Sequence, residues 1–206
     1  MKKKVILFDF DKTLTDEDSI FLLWKYAFSK KKTNIFVFGF KMIKGFFKYL
    51  FTGLNFIMIK NEMCSVLKYF NEDELEEFVD YIYKNHILQD GVDYFKTFDD
   101  DSYKMLVSAS PINYLKYLDK YFDFDMIMGT NLNKEYQVVG KNNKSSEKVR
   151  RIRNHLREKD ISIEYEISLA FSDSFKDDRP MLQLVKNRYL INSDIEKKGF
   201  NNLNWK

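Results

Sequence analysis

The spacing of apolar residues changes character along the chain. Lys4 to Phe10 is a short apolar run rich in β-formers that stops at D-K-T-L-T-D, the pattern of a buried strand running into a polar loop. From there to about Asn85 the spacing is helical. Its clearest helix follows Asn71, with Glu74 three residues on and Leu75, Phe78, Val79 and Ile82 as the apolar stripe. After His86, strand-like runs at Lys104 to Val107, Asp125 to Met128, Ile167 to Phe171 and Tyr189 to Asn192 alternate with helices, which predicts a parallel sheet with crossover helices. Ser110 with Pro111 is expected to open one helix, and Ser145 or Ser146 to cap another carrying Val149, Ile152 and Leu156. Arg179 and Pro180 are expected to start a third, and Tyr136 to Gly140 to form an extra β-hairpin arm. The fold class is α/β: a Rossmann-like parallel sheet core (residues 1–15 and 87–206) with an inserted α-helical cap (residues 16–86).

Composition narrows the choice. The 206 residues contain seven Gly and two Pro, roughly 4% against about 12% in average usage, which excludes collagen, low-complexity linkers and turn-dense all-β folds. A single cysteine, Cys64, leaves no disulfide framework and no Cys-rich zinc site, and His86 and His155 lack metal-ligand spacing. The opening M-K-K-K-V-I-L-F-D-F turns acidic before a signal-peptide apolar region could form, so a cytoplasmic protein is expected. A net charge of +3 gives no ground for a nucleic-acid partner.

Charge distribution says more. Between Asp18 and Glu62 there is no acid, while eight lysines (25, 30, 31, 32, 41, 44, 48 and 60) and twelve aromatics accumulate. If residues 36–51 are helical, Lys41, Lys44 and Lys48 fall within roughly a 60° arc, leaving Phe36, Phe40, Ile43, Phe47 and Phe51 on a broad apolar face. Packing of that face on the core is the favoured expectation; peripheral contact of residues 19–61 with an anionic membrane is the alternative.

The candidate chemistry begins at D-F-D-K-T-L-T, Asp9 to Thr15, at the carboxyl end of the first strand, where open α/β sheets bind ligands. Three further elements follow in order: S-A-S-P (Ser108 to Pro111), Lys148 near the start of a later helix, and S-D-S-F-K-D (Ser172 to Asp177). With these, the chain resembles the haloacid dehalogenase superfamily of phosphohydrolases, and most of all its phosphoserine-phosphatase-like subfamily with a helical cap after the first motif. The resemblance covers nearly the whole chain.

It implies an Mg²⁺-dependent phosphomonoester hydrolase. Asp9 would attack phosphorus to form an aspartyl-phosphate, and Asp11 would protonate the leaving alkoxide and then deprotonate the hydrolytic water. Asp9, Asp173 and the backbone carbonyl of Asp11 would hold Mg²⁺, with Asp177 orienting its waters or coordinating directly. Ser108, Ala109, Thr13 and Lys148 would surround the phosphate, Lys148 also neutralising Asp9. For the lysine, K-N-N-K-S-S-E-K-V-R-R offers alternatives. Relatives carry C-x-G-x-x-K-V, and Asn143 to Val149 keeps that spacing with Asn143 and Ser145 at the Cys and Gly positions, which favours Lys148 over Lys144.

The cap would read the leaving group. Phosphoserine phosphatases use a cap arginine, whereas no arginine precedes Arg150 here and Asp18 stands where they place a Glu, so phosphoserine is disfavoured. Three readings remain: hydrolysis of a small soluble phosphomonoester; the same chemistry on a phosphatidylglycerophosphate-like lipid at a membrane surface; and a non-catalytic phosphate-binding module.

Overall fold

A computed structural model describes residues 1–206. A six-stranded, all-parallel sheet is built from β2 (Val5–Phe8), β3 (Tyr103–Pro111), β4 (Met126–Thr130), β6 (Leu169–Ser172), β7 (Asn187–Ile191) and β8 (Asn201–Leu203) in the order β4-β3-β2-β6-β7-β8. A separate parallel pair joins β1 (Lys2–Lys3) to β5 (Ser162–Ile163). All four residues of β2 are buried because both faces of the sheet are covered, which is why its sequence is continuously apolar rather than alternating. Alternate side chains still part company. Val5 and Leu7 enter a core with Met105, Val107 and Met181, whereas Ile6 and Phe8 enter a second core with Phe171 and Trp205.

The chain leaves β2 toward β3 and β4, then returns to β6 on the other side of β2. That reversal makes the carboxyl ends of β3, β2 and β6 a switch-point crevice. Crossovers are supplied by α5 (Gln89–Phe95), α6 (Ile112–Leu115), α7 (Ser146–Glu158) and α8 (Phe175–Leu182), and the helical insertion by α1 (Ser19–Ser29), α2 (Ile35–Phe51), α3 (Ile57–Cys64) and α4 (Glu72–Asn85). The insertion is clipped at its base, where Thr15 pairs antiparallel with Ile87 and Leu88 donates its N–H to the Leu14 carbonyl. Helices α1 and α4 share a continuous core with the sheet, Phe78 meeting Tyr114 edge to face at 5.5 Å. Asn71 and Glu74 form the reciprocal capping box at the start of α4, and Leu75, Phe78, Val79 and Ile82 are buried.

Several local expectations are overturned. β3 continues through Ser110 to Pro111, and α6 begins at Ile112 with no side-chain cap. The hairpin arm at Tyr136 to Gly140, by contrast, is present but short: Leu132 bridges Val138 antiparallel, with the Asn133 N–H donating to the Gln137 carbonyl and the Val139 N–H to the Asn131 carbonyl. α8 starts at Phe175, capped by Ser174, whose hydroxyl accepts from the Asp177 N–H, and Pro180 sits in its last turn. The last strand is not Tyr189 to Asn192 but β8, whose Asn-Asn-Leu carries no apolar run because it lies at the sheet edge. In α7, Lys148 joins Ile152 and Leu156 on the buried face while Val149 is only half-buried.

The favoured expectation for α2 is also reversed. Only Gly45 is fully buried, its missing Cβ letting α2 approach the Ile59 backbone of α3, and Phe36, Phe40, Ile43, Phe47 and Phe51 face outward rather than onto the core. Lys41, Lys44 and Lys48 instead turn toward the buried Glu62, at 3.3, 3.2 and 2.8 Å. No helix is long and apolar enough to cross a membrane.

Candidate active site

The ends of three adjacent strands and the starts of α7 and α8 place acids and lysines around one cavity of about 580 Å³. Asp9 follows β2 directly, its N–H donating to the Phe171 carbonyl of the neighbouring strand. The next loop is tight: the N–H groups of Thr13, Leu14 and Thr15 all converge on the Phe10 carbonyl, and Lys12 is forced to φ +56°. This left-handed lysine is held by its N–H to Thr15 Oγ1 and its ammonium to Asp18.

Lys148 is 1% exposed, which for a lysine demands partners. Its Nζ lies 2.9 Å from Asp9 Oδ1 and 2.7 Å from Asp178 Oδ2, and Ser172 Oγ donates to the same Asp178 oxygen at 2.8 Å. Burial alone would lower the Lys148 pKa, but Asp9 and Asp178 outweigh it and hold the ammonium above its ordinary value. Burial pushes the Asp9 carboxyl well up, opposed by Lys148 and reinforced by Asp178 and Asp11. Asp173 is raised to about 6, by burial first and then by Asp178.

Asp11 is held differently. Its carboxylate accepts from the Ser19 N–H at 2.7 Å and from Ser110 Oγ at 2.5 Å, with Ser108 Oγ more distant at 3.4 Å. Ser110 therefore orients Asp11 rather than capping α6, and the chain of hydroxyls continues through Ser19 to the buried Tyr114. Ser108 Oγ accepts from the Ser110 N–H, and Ala109 lines the cavity while its carbonyl accepts from Lys60 and Thr130.

The remaining candidates separate. Thr13 is fully buried and outside the cavity lining; its Oγ1 accepts from the Asp173 N–H at 2.9 Å, so it ties the first motif to the fourth instead of facing the phosphate position. Lys144 lies at the cavity rim, half-exposed and paired with Asp177 at 3.0 Å, so neither reaches Asp9 as Lys148 does. Two residues escaped the sequence reading. Asp178 is the buried partner of Lys148, and helical spacing signals it, because Asp178, Met181 and Leu182 share the inward face of α8 while Asp177 does not. Lys60, counted above only as one of the eight lysines of the acid-free stretch, reaches from α3 to Asn142 Oδ1 at 2.6 Å, and burial lowers its pKa.

No three acidic, histidine or cysteine side chains are gathered into a metal cage. The donor set still fits Mg²⁺, which takes one or two carboxylates and keeps several waters. Asp9 is buried and Asp173 half-buried, burial first and neighbouring acids second disfavour their charged forms, and both line the open cavity, where a cation would offset that cost. Because Asp173 must be ionised to bind a cation, its affinity for Mg²⁺ is expected to rise with pH through about 6. The increase in Tm on adding Mg²⁺ should be larger at neutral pH than in mild acid; a pH-independent shift would remove Asp173 from the ligand set.

Ser145, at the position where the resembled family carries Gly, adopts φ +53° and ψ −122° and makes no cap hydrogen bond. That conformation favours glycine, so Ser145→Gly should stabilise the fold by about 1 kcal/mol, read as a raised denaturation midpoint. A lower midpoint would show that Ser145 is not strained.

Comparison with known proteins agrees with this arrangement. The chain has 16% identity to a protein of unknown function from Bordetella pertussis Tohama I, with a TM-score of 0.78 over 98% of this chain and 99% of that one. It has 18% identity to a substrate-bound phosphoserine phosphatase, with a TM-score of 0.62 over 94% and 88%. A phospho-aspartyl intermediate analogue of phosphoserine phosphatase gives 19% identity and 0.57 over the same shares. At these identities the likeness is one of fold. No curated protein matches. The family model for haloacid dehalogenase-like hydrolase matches residues 6–183, a span that runs from β2 through all four motifs to the end of α8, and the chain belongs to that family.

Proposed function

We propose that this hydrolase is an Mg²⁺-dependent phosphomonoesterase that works through a phosphoryl group carried on Asp9. The observation that carries the reading is the fully buried Lys148 ammonium 2.9 Å from Asp9 Oδ1. A carboxylate can attack a phosphate dianion only where their repulsion is cancelled, and a dehydrated cation fixed beside the nucleophile does this without reorganising. Asp178 and Ser172 hold that cation in place. Mg²⁺ held by Asp9, Asp173 and the Asp11 carbonyl would supply further charge neutralisation at the phosphoryl oxygens.

Asp11, supported by Ser110 and the Ser19 N–H, is the acid that delivers a proton to the departing alkoxide. The same carboxylate, now ionised, takes a proton from the water that cleaves the acyl phosphate and returns Asp9. Ala109 borders the phosphate position, Ser108 lies buried behind it with its hydroxyl 3.4 Å from Asp11, and Lys60 brings a cationic group from the cap. The division into a core of 1–15 and 87–206 and a cap of 16–86 is supported by the Thr15–Ile87 clip. The substrate is a phosphomonoester, and the compartment we assign is the cytoplasm, including the membrane surface that faces it.

Leaving-group dependence tests the acid. Asp11→Asn is expected to lose more activity on an alkyl phosphate than on 4-nitrophenyl phosphate, whose leaving group departs without a proton, by on the order of 10²-fold. Equal losses on both substrates would take Asp11 out of the acid role.

A further inference from the structure

We propose that the outward face of α2 docks on an anionic bilayer surface and thereby presents the cavity to a phosphomonoester carried by a lipid. At 3.6 residues per turn, Ile35, Phe36, Phe40, Ile43, Phe46, Phe47, Leu50 and Phe51 occupy an arc of roughly 160° on one side of the helix. All eight are exposed, Phe36 at 84% and Phe51 at 85%. Such a contiguous apolar face on a water-soluble surface marks an interaction site rather than chance exposure. The following turn extends it: Leu54 has φ +64° and is exposed, and Phe56 is 71% exposed.

Charge identifies the occupant. Lys41, Lys44 and Lys48 fill the neighbouring arc of roughly 60°. All three pair with the carboxylate of Glu62, and Glu135 lines the same cleft, which leaves that edge one charge positive. No acid occurs from Ser19 to Asn61. A second copy of the chain docked face to face would set two net-positive lysine edges together, whereas anionic headgroups complement them. With 17 residues and three lysines α2 is not a spanning helix, and the geometry is that of a helix lying in the interface.

The face is continuous with the cavity. Phe47 and Phe46 lie 6.4 Å apart, Phe46 and Tyr49 6.4 Å, and Tyr49 and Phe56 4.9 Å, and Phe56 lines the cavity beside Ile59, Met63 and Phe21. An acyl-bearing substrate can thus keep its apolar part on aromatic surface while its phosphate enters toward Asp9. This part rests on the phosphohydrolase reading; the docking surface stands without it.

The test uses the full chain and a variant with Phe36→Gln, Phe40→Gln, Phe47→Gln and Phe51→Gln combined, which alters exposed side chains remote from Asp9. Replacing the lysines would be less clean, because it strands the buried Glu62. Wild type should co-sediment with phosphatidylcholine vesicles containing phosphatidylglycerol, bind phosphatidylcholine alone far more weakly, and be released at about 0.5 M salt. The variant should partition on the order of 100-fold less. It should turn over 4-nitrophenyl phosphate normally, yet lose activity on phosphatidic acid in vesicles. Wild type that ignores anionic vesicles, or binds neutral ones as well, overturns the docking proposal, and a dimer in sedimentation velocity that the variant abolishes assigns the face to self-association instead. Vesicle binding by a protein inactive on 4-nitrophenyl phosphate would leave docking standing and sink the phosphohydrolase reading. Binding with 4-nitrophenyl phosphate turnover but no turnover of phosphatidic acid would overturn the lipid-phosphate part alone.

Discussion

Asp9→Asn is expected to lose Mg²⁺-dependent hydrolysis of 4-nitrophenyl phosphate by roughly 10⁴-fold or more, because the amide neither attacks phosphorus nor offers a charged ligand. The substitution is nearly isosteric, and Lys148 keeps Asp178 as its counter-ion at 2.7 Å. Burial and the neighbouring acids already disfavour the charged form of Asp9. Its loss should therefore not lower the Tm of the metal-free protein, the pattern of a group kept for chemistry at some cost in stability. A variant that keeps its fold and retains substantial turnover would take the nucleophile role from Asp9.

The second large effect is at Lys148. Lys148→Ala removes a dehydrated cation from between Asp9 and Asp178, and should lower kcat/KM by on the order of 10² or more, several kcal/mol of transition-state stabilisation. It also leaves two buried carboxylates without their cation, a loss of about 3–5 kcal/mol of stability. Melting and kinetics must therefore be read together, at temperatures where the variant is folded. Lys144→Ala breaks only a half-exposed pair with Asp177, worth about 0–1 kcal/mol, and its kcat/KM should stay within a few-fold of wild type. If Lys144→Ala is the crippling change, the cavity rim rather than the buried pair carries the catalytic lysine.

The contrast between these lysines shows how much of the molecule could be read from the chain. The parallel sheet and the alternation of β2, β3, β4, β6 and β7 with helices were legible because buried parallel strands are continuously apolar, as in β2 and β6, whereas edge strand β8 and the β1–β5 pair were not. The spacing Asn143 to Val149 pointed to Lys148, and the structure brings that residue to Asp9. What stayed hidden depends on tertiary placement. Asp178 was passed over for Asp177 because adjacent acids differ only in which side of α8 they occupy. Ser110 looked like a helix cap, yet β3 runs through it and its hydroxyl faces Asp11. Gly129 shows why that loop can sit so low. A Cβ there would lie 2.6 Å from the Ile112 backbone nitrogen, a contact no sequence pattern announces. For α2 the periodicity was correct but its partner was not: an amphipathic stripe states which side is apolar, not what covers it.

Whether a phosphoryl group passes through Asp9 can be observed directly. A ³²P-labelled phosphomonoester that the enzyme turns over, quenched in acid during steady-state hydrolysis, should leave label on the protein that is stable in acid, released by hydroxylamine, and confined to the peptide containing Asp9. Asp9→Asn protein and protein stripped of Mg²⁺ should carry none. Rapid turnover with no protein-bound label at any quench time, or label on a peptide that lacks Asp9, would contradict the account.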